Sequence, residues 1–254
     1  SCGLGVVYNS HGEHQGEHII DLVENCVRRT LAAAGAAKNR DPQVLGDIME
    51  GLVLTGVAMS LYGNSRPASG CEHHMSHYWE TILEQQGQRP APHGAQVGVG
   101  TVLVLKAAEE LIARTVDFDA AREAALRYQP QAWEASIRAA YGPAAPGIIE
   151  LEREAQKNES AGRLRRIHMI EAHWTDILEL LHALPSSEEV AGILRNLGAP
   201  SHPQQIGIGQ ALLKDTFLYC KEIRARYTIL QMLWDLDLLD SISDKVICGM
   251  GYPL

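Results

Sequence analysis

The sequence has few aromatic residues and no excess of positive charge. Only two Phe are present against many Ala and Leu, a balance that favours helices because Ala and straight-chain residues lose little freedom in them. The formal net charge of -9 argues against a nucleic-acid partner, since phosphate contacts need clustered Lys and Arg. A small phosphorylated substrate stays compatible with this charge, because it needs only a few local donors.

The five cysteines are scattered, odd in number and without a C-x-x-C pair. In a chain long enough to have its own core, this favours reduced thiols and a cytoplasmic location over a disulfide framework. The longest apolar run, 97–108, is interrupted by Gly98, Gly100 and Lys106 and is too short to span a bilayer. Residues 1–10 lack a basic segment ahead of an apolar one, so we expect no signal peptide.

Apolar residues recur at helical spacing along most of the chain, and Gly and Pro separate the segments. The segment 41–62 starts with Asp41 as N-cap and Pro42 at the first helical position. It is apolar on most sides, so we expect a helix that is buried all round. Other helices are expected at 17–37, 70–86, 93–115, 119–128, 130–141, 146–171, 203–224 and 227–239. No strand pattern or repeat is found, which predicts an all-α fold of one domain with about ten helices.

Four of the eleven histidines fall within residues 65–94: His73, His74, His77 and His93. His73 and His77 are four residues apart and share a helix face, and His93 opens the next helix, which a loop can fold back towards the first. Two imidazoles on one helix turn and a third from elsewhere are a common way to build an open metal site. Surface or core histidines are the alternative, above all for His74, which points away from the shared face.

The histidine segment also carries a resemblance to a known family. Within the stretch 51–100, residues 51–80 read G-L-V-L-T-G-V-A-M-S-L-Y-G-N-S-R-P-A-S-G-C-E-H-H-M-S-H-Y-W-E, and residues 92–100 read P-H-G-A-Q-V-G-V-G. This pattern closely resembles the bacterial sn-glycerol-1-phosphate dehydrogenases, of the iron-containing alcohol dehydrogenase, glycerol dehydrogenase and dehydroquinate synthase superfamily. The resemblance extends over residues 16–240, including R-Y-T-I-L-Q-M-L-W-D-L at 226–236.

The resemblance implies a particular architecture. Family members have an N-terminal α/β nucleotide-binding domain and a C-terminal helical domain, with the active site in the cleft between them. Residues 16–254 then correspond to the helical metal- and substrate-binding domain, and residues 1–15 form an atypical N-terminal segment. The family's reaction is reversible hydride transfer between a nicotinamide and dihydroxyacetone phosphate, which gives sn-glycerol 1-phosphate.

The resemblance also implies roles for individual residues. The family's zinc, nickel or iron ion is held by one Asp and two His, which match His73 and His93 here, and it acts as a Lewis acid on the ketone oxygen. His77 falls beside the ion as the catalytic candidate, a proton relay. The substrate-binding candidates are in the preceding loop: Asn64, Ser65, Arg66 and Ser69. A solvated loop arginine is the alternative for Arg66.

Two parts of the family pattern are missing from the sequence. No Gly-rich phosphate loop follows a strand, so no cofactor-binding residue is assigned and NAD(P) is expected only through a separate domain. The G-x-G-D segment that supplies the Asp ligand is replaced by S-C-G-L-G-V-V-Y-N-S at 1–10, without a carboxylate. A His-rich tract can offer a substitute ligand, and a solvated helix start is its alternative. The tract consists of His11, Glu13, His14, Glu17 and His18.

Three interpretations stay open at this point. The chain is the helical half of a truncated dehydrogenase, or one chain of a split enzyme whose cofactor domain is separate, or a non-catalytic helical scaffold or partner subunit that keeps vestigial metal binding. The corresponding partners are a small phosphorylated substrate, a cofactor-domain chain or a second copy in a homo-oligomer. An exposed apolar surface favours the first two interpretations, and a polar surface favours the third.

Overall fold

The computed structural model describes residues 15–39, 41–63, 65 and 68–252. This part of the chain is built from α-helices and contains no β-strand, which confirms the all-α class. The helices are α1 (Gln15–Ala37), α2 (Pro42–Tyr62), α3 (Cys71–Gln85), α4 (His93–Ile112), α5 (Phe118–Leu126), α6 (Pro130–Tyr141), α7 (Ala145–Ala155), α8 (Ser160–Ala172), α9 (Trp174–His182), α10 (Ser187–Asn196), α11 (Gln210–Tyr219), α12 (Ile229–Asp235) and α13 (Leu239–Gly249). The boundary expected between residues 15 and 16 stays a prediction, because residues 1–14 lie outside the described part.

Helices α1 and α2 form a hairpin. Asp41 caps α2 as expected, since its Oδ1 accepts the backbone N–H of Gln43 at 2.8 Å. Gly51 brings the two helices close together, because a Cβ at this position would lie 3.1 Å from Oγ1 of Thr30 on α1. The guanidinium of Arg29 on α1 adds an exposed ion pair with Glu50 on α2, at 3.0 Å.

The expectation that α2 is buried all round is wrong. Among the residues of α2, only Ala58 is buried, because α2 packs on α1 and its opposite face meets no other layer of the described chain. The exposed apolar residues of this face are Leu45, Met49, Leu52, Val53, Val57 and Leu61. In length and composition α2 could also cross a membrane, a property it shares with the core helices of soluble proteins, so it carries no membrane assignment.

The pair α3 and α4 lies at the centre of the fold. Gly100 of α4 permits their close approach, since a Cβ there would lie 3.0 Å from the backbone oxygen of Glu72 on α3. On another side of α3, the fully buried Trp79 donates its Nε1–H to Oγ1 of Thr216 on α11 at 2.7 Å. These contacts fix α3 in the core and determine which of its faces remains accessible.

Several expected helices are divided in the structure. The segment 146–171 is two helices, α7 and α8, because Gln156 adopts a left-handed conformation with φ 49°. The buried Asn158 follows this break, and its side chain donates to Oε2 of Glu222 at 3.0 Å. The segments 203–224 and 227–239 are also interrupted, by short 3-10 turns and by the left-handed Asp237. At the break between α7 and α8, a buried polar contact joins segments that are distant in the chain.

Candidate metal centre

Potential metal ligands lie on one accessible face of α3 and at the start of α4. His73, His77 and Glu80 are separated by four and three residues, so the helix places them on the same side. His93 is the first residue of α4, and the packing of α4 on α3 brings it against this face. The structure thus brings together the three histidines singled out in the sequence and adds a carboxylate.

The ring of His93 lies between the other two imidazoles. Its centroid is 5.4 Å from that of His73, with the rings tilted by 53°, and 5.6 Å from that of His77, with the rings stacked. The side chain of His93 is about half-exposed, and those of His73 and His77 are partly exposed. The cluster is therefore open to solvent and to a small ligand.

Two carboxylates contact the three imidazoles through their Nδ1 atoms. Oε1 of Glu72 lies 2.8 Å from Nδ1 of His73. Glu80 contacts two rings at once, with Oε2 at 3.0 Å from Nδ1 of His77 and Oε1 at 3.0 Å from Nδ1 of His93. Contacts of this kind fix the orientation of an imidazole in a metal site. Among the described residues, one group of three donors lies within 4.8 Å of one another, and it consists of His77, Glu80 and His93.

A buried polar pair supports the position of His93. Oγ of Ser76 lies 3.1 Å from Nδ1 of His93 and 3.4 Å from Oε1 of Glu80. Ser76 also donates to Oε1 of Gln96 at 3.4 Å, and Gln96 donates to the backbone oxygen of Ala91 at 2.7 Å. Ser76 and Gln96 are buried, so they anchor the start of α4 to α3.

Both carboxylates of the cluster are held in the ionised state. Burial raises the pKa of Glu72, but hydrogen bonds from His73 and from backbone N–H groups outweigh it and leave this pKa below its ordinary value. For Glu80, burial again acts upward, and the hydrogen bonds from His77 and His93 lower the pKa below its ordinary value. Ionised carboxylates beside imidazoles are a donor set that suits a divalent transition metal.

His74 belongs to the core and not to the cluster. It is fully buried, and neither ring nitrogen has a hydrogen-bond partner within the described part of the chain. Burial lowers the pKa of His74 to about 3, and the charges of Lys157 and Arg226 act in the same direction. The ring is therefore neutral at physiological pH. His74 is a core histidine and not a metal ligand, which was the alternative given for it from the sequence.

The loop before α3 is tied to a distant arginine. Arg226 donates from Nη1 to the backbone oxygen of Ser69 at 3.0 Å and from Nη2 to Oγ of Ser65 at 2.9 Å. The next residue, Gly70, donates its N–H to Oε1 of Glu72 at 2.8 Å, which connects the loop to the cluster. Ser69 is therefore adjacent in the chain to a residue that contacts the cluster, and Arg226 ties Ser65 to Ser69.

Other sequence candidates fall outside the described residues. This applies to Asn64 and Arg66, to His11, Glu13 and His14, and to the side chains of Glu17 and His18. Four contributors to the site were absent from the sequence-based set: Glu72, Ser76, Glu80 and Arg226. The signals of Glu72 and Glu80 were present but weak, because a carboxylate one residue before or three residues after a histidine is also common on a solvated helix.

Comparison with known proteins adds a second line of information. No family model matches the chain. Proteins named glycerol-1-phosphate dehydrogenase (NAD(P)+) do match, including one from Geobacillus stearothermophilus that is 31% identical over 190 residues, covering 74% of this chain and 38% of that protein. A relative of the same name from Korarchaeum cryptofilum is 47% identical over 57 residues, covering 22% of this chain and 18% of the relative.

These matches cover only part of the length of each relative. A third protein of this name, from Pyrococcus furiosus, is 36% identical over 93 residues, which is 37% of this chain and 26% of that protein. The chain spans about two fifths of the length of the Geobacillus stearothermophilus relative, 38%. The resemblance indicated by the histidine motifs is confirmed over about three quarters of the chain, 74%, and the chain is a member of the glycerol-1-phosphate dehydrogenase family in this matched region.

Proposed function

We propose that the chain supplies the metal- and substrate-binding part of an NAD(P)-linked sn-glycerol-1-phosphate dehydrogenase, which reduces dihydroxyacetone phosphate to sn-glycerol 1-phosphate. The observation that carries the proposal is the cluster of His73, His77, Glu80 and His93, which lies within the segment that resembles this family. The relatives' name supports the oxidoreductase class. A cytoplasmic setting is part of the proposal, because it keeps the free thiols reduced.

The donor set fits the metal that the family implies. Imidazole and carboxylate groups suit zinc, nickel and iron, and the family pattern assigns His73 and His93 as ligands. When bound, such an ion supplies a Lewis acid for a ketone oxygen. Glu72 orients His73 through the contact at Nδ1, and Glu80 orients His93 in the same way.

An imidazole that does not bind the ion can move the proton that the reduction requires. The family pattern gives this role to His77. Its Nδ1 lies 3.0 Å from the carboxylate of Glu80, a contact that orients the ring and leaves Nε2 to face a substrate. Donation from Nε2 to the forming alkoxide then leaves a neutral ring that solvent can reprotonate.

The loop before α3 suits the phosphate of the substrate. The hydroxyl of Ser65 accepts from Arg226 and can donate its own hydrogen to a phosphate oxygen. The positive charge of Arg226 at this loop favours an anion. Asn64, Arg66 and Ser69 complete the proposed substrate-binding set by the family pattern.

The nicotinamide cofactor requires a second unit. The described residues contain no strand followed by a Gly-rich loop, so we assign NAD(P) binding to a nucleotide-binding domain of the same protein or of a partner chain. The exposed apolar face of α2 supports this assignment, because a surface of this kind favours a packing partner.

Turnover tests this proposal. The protein is loaded with nickel or zinc, and NADH and NADPH oxidation is followed with dihydroxyacetone phosphate, alone and with the separately expressed nucleotide-binding domain of the Geobacillus stearothermophilus relative. We expect metal-dependent turnover that requires a nucleotide-binding domain and disappears in His93→Ala. Turnover of unphosphorylated dihydroxyacetone at an equal rate, or none under any condition, would overturn the proposal.

A further inference from the structure

A second cavity opens on the side of the fold that is formed by α6, α11 and α12. Its volume is about 410 Å³. This volume falls within the range of about 300–1,000 Å³ that is usual for small-molecule sites, and it suits a molecule of one or two rings. No residue of the candidate metal centre lines this cavity. We call it the aromatic cleft, after the side chains in its walls: Tyr128, Trp133, Tyr219 and Trp234.

A pair of buried tyrosines stands between one wall of the aromatic cleft and α3. The hydroxyl of Tyr141 donates to the backbone oxygen of Tyr219 at 2.9 Å, and its ring packs edge-on against that of Tyr78 on α3, with the centroids 5.1 Å apart. Tyr78 and Tyr141 are both buried. The metal cluster lies on a different face of α3 from Tyr78, so a ligand in the cleft would not touch it.

The aromatic walls of the cleft are only partly covered. Each of the four rings is partly exposed. Trp234 is already occupied within the protein, since the guanidinium carbon of Arg163 lies 3.9 Å from the centroid of its ring, and the ring of Tyr128 packs edge-on to it at 5.9 Å. Trp133 has no such contact with a ring or a cation among the described residues. It therefore offers the cleft an indole on which a planar ligand can stack.

The floor of the cleft is a buried polar network centred on Glu222. Its Oε1 contacts Nζ of Lys221 and accepts from Nε1 of Trp133 at 3.3 Å. Its Oε2 lies 2.9 Å from Nζ of Lys157 and accepts from the side chain of Asn158 at 3.0 Å. Burial raises the pKa of Glu222, but the charges of the two lysines outweigh burial and hold this pKa below its ordinary value. The carboxylate is thus ionised and fully engaged, and it fixes the position of Trp133.

Positive charge exceeds negative charge at this floor, although the chain as a whole has a formal net charge of -9. Lys157 and Lys221 contact the same single carboxylate. The neighbouring Glu152 does not cancel the excess below pH 7, because burial raises the pKa of its carboxyl to about 7. Arg127 also lines the cleft. Its side chain is 66% exposed, and its contact with Glu123 at 3.6 Å is a surface pair of little strength. The charge of the cleft therefore complements an anion.

We propose that the aromatic cleft binds a small aromatic carboxylate, whose ring stacks on Trp133 and whose carboxylate faces Arg127. Stacking on an indole selects a planar ring, and a charge-assisted hydrogen bond to a guanidinium selects the acid over a neutral analogue. Because Trp133 is held by Glu222, its ring is in place before the ligand arrives. The cleft is separate from the candidate metal centre, and its ligand does not rest on the proposed function.

Calorimetric titration of the full chain tests the proposal, at about pH 6, where Glu152 is mostly protonated. The probes are phenylacetate and indole-3-acetate. Phenylacetamide lacks the charge, cyclohexylacetate lacks the aromatic ring, and adenosine monophosphate carries a phosphate in place of the carboxylate. Each probe is titrated into the metal-free protein and into the nickel-loaded protein, because a carboxylate can also bind a metal ion directly.

Two variants and two matched controls locate the site. Trp133→Leu removes the stacking surface, and Arg127→Gln removes the charge at the exposed side of the cleft. Trp174→Leu is the first control, since this indole packs on Phe118 and does not line the cleft. Arg138→Gln is the second, since Arg138 is an exposed arginine of α6 outside the cleft. Circular dichroism establishes that each variant is folded.

We expect at least one of the two aromatic acids to bind with a Kd below about 1 mM. Phenylacetamide and cyclohexylacetate should bind about tenfold more weakly than phenylacetate. Trp133→Leu should weaken binding of the acid about tenfold and Arg127→Gln about fivefold, with changes of less than about twofold in both controls. The affinity should be the same with and without nickel.

Failure of both acids to bind would overturn the inference, as would equal affinity for phenylacetamide or unchanged affinity in Trp133→Leu. Binding that requires nickel would place the acid at the metal centre and overturn it as well. Tighter binding of adenosine monophosphate than of either acid would assign the cleft to a nucleotide and overturn the carboxylate. Since the acids are titrated without a nicotinamide or dihydroxyacetone phosphate, each of these results is independent of the turnover that tests the proposed function.

Discussion

Oε1 of Glu80, on the third helix, lies 3.0 Å from Nδ1 of His93, the first residue of the fourth helix. This contact spans the two helices that Gly100 allows to pack closely. The geometry of the candidate metal centre therefore depends on a helix–helix distance as much as on the ligands themselves.

Replacing Gly100 by Ala tests this dependence. The added Cβ would lie 3.0 Å from the backbone oxygen and 3.2 Å from Cα of Glu72, so α4 must move away from α3. We expect a loss of about 1–3 kcal/mol in the free energy of unfolding and weaker metal binding, measured by urea denaturation and calorimetry. Gly147→Ala is the control, because nothing lies within 4 Å of its added Cβ; a similar loss in both variants would contradict the account.

His74 offers a test of buried polarity. Its ring is fully buried, and both nitrogens lack a hydrogen-bond partner among the described residues. Since an unpaired buried polar group is unfavourable, His74→Leu should raise the free energy of unfolding by about 1 kcal/mol. Thermal and urea unfolding provide the measurement. A variant that is less stable than the wild type by a similar amount would show that the imidazole has a partner in solution, such as a buried water.

The exposure of α2 can be checked with two equivalent truncations. Leu52 is 62% exposed on α2, whereas Leu103 is fully buried on α4. Leu103→Ala should therefore lower the free energy of unfolding by about 2–5 kcal/mol, and Leu52→Ala should change it by less than about 0.5 kcal/mol. Urea denaturation at low protein concentration measures both. Equal losses would mean that the outer face of α2 is covered in solution.

Glu152 predicts a pH dependence of stability. Burial raises the pKa of this carboxyl from 4.5 to about 7 in the folded chain, with the charge of Glu222 acting in the same direction. The folded state therefore holds the proton of Glu152 more tightly than the unfolded state does. The resulting contribution to the free energy of unfolding is complete below pH 4.5 and is lost as the pH rises to about 7.

Glu152→Gln should remove this part of the pH dependence. We expect the difference in melting temperature between pH 5 and pH 7.5 to become smaller in the variant than in the wild type, by differential scanning calorimetry. Glu150→Gln is a control on the same helix, since Glu150 is exposed and pairs with Arg153 at the surface. If the melting temperature of Glu152→Gln depends on pH as that of the wild type does, the raised pKa of Glu152 is contradicted.

Local chemistry in the sequence was sufficient for much of the fold. The all-α class followed from the helical spacing of apolar residues and the lack of a strand pattern, and the start of α2 followed from Asp41. The division between α7 and α8 was missed because it depends on Asn158 and its buried contact with Glu222, 64 residues later. The exposure of α2 was missed for a related reason, since apolar composition does not indicate whether another layer covers a helix.

The candidate site was predictable to a similar degree. Helix periodicity was enough to place His73 and His77 on one face, and the loop that lets the next helix fold back was enough to group His93 with them. Glu80 required the structure, since its importance comes from a contact with His93 across two helices. The contact of Arg226 with Ser69 joins residues 157 positions apart, and no local pattern indicates such a pairing.

The central proposal is that the candidate metal centre, when it holds its ion, binds the sn-glycerol 1-phosphate enantiomer in preference to the other. Calorimetric titration of the nickel-loaded protein with sn-glycerol 1-phosphate, and with its enantiomer sn-glycerol 3-phosphate, tests it most directly. The account predicts that the 1-phosphate binds at least tenfold more tightly, and that this binding is lost in the metal-free protein and in His93→Ala. Equal affinity for the two enantiomers, or binding that is unaffected by removal of the metal, would contradict it.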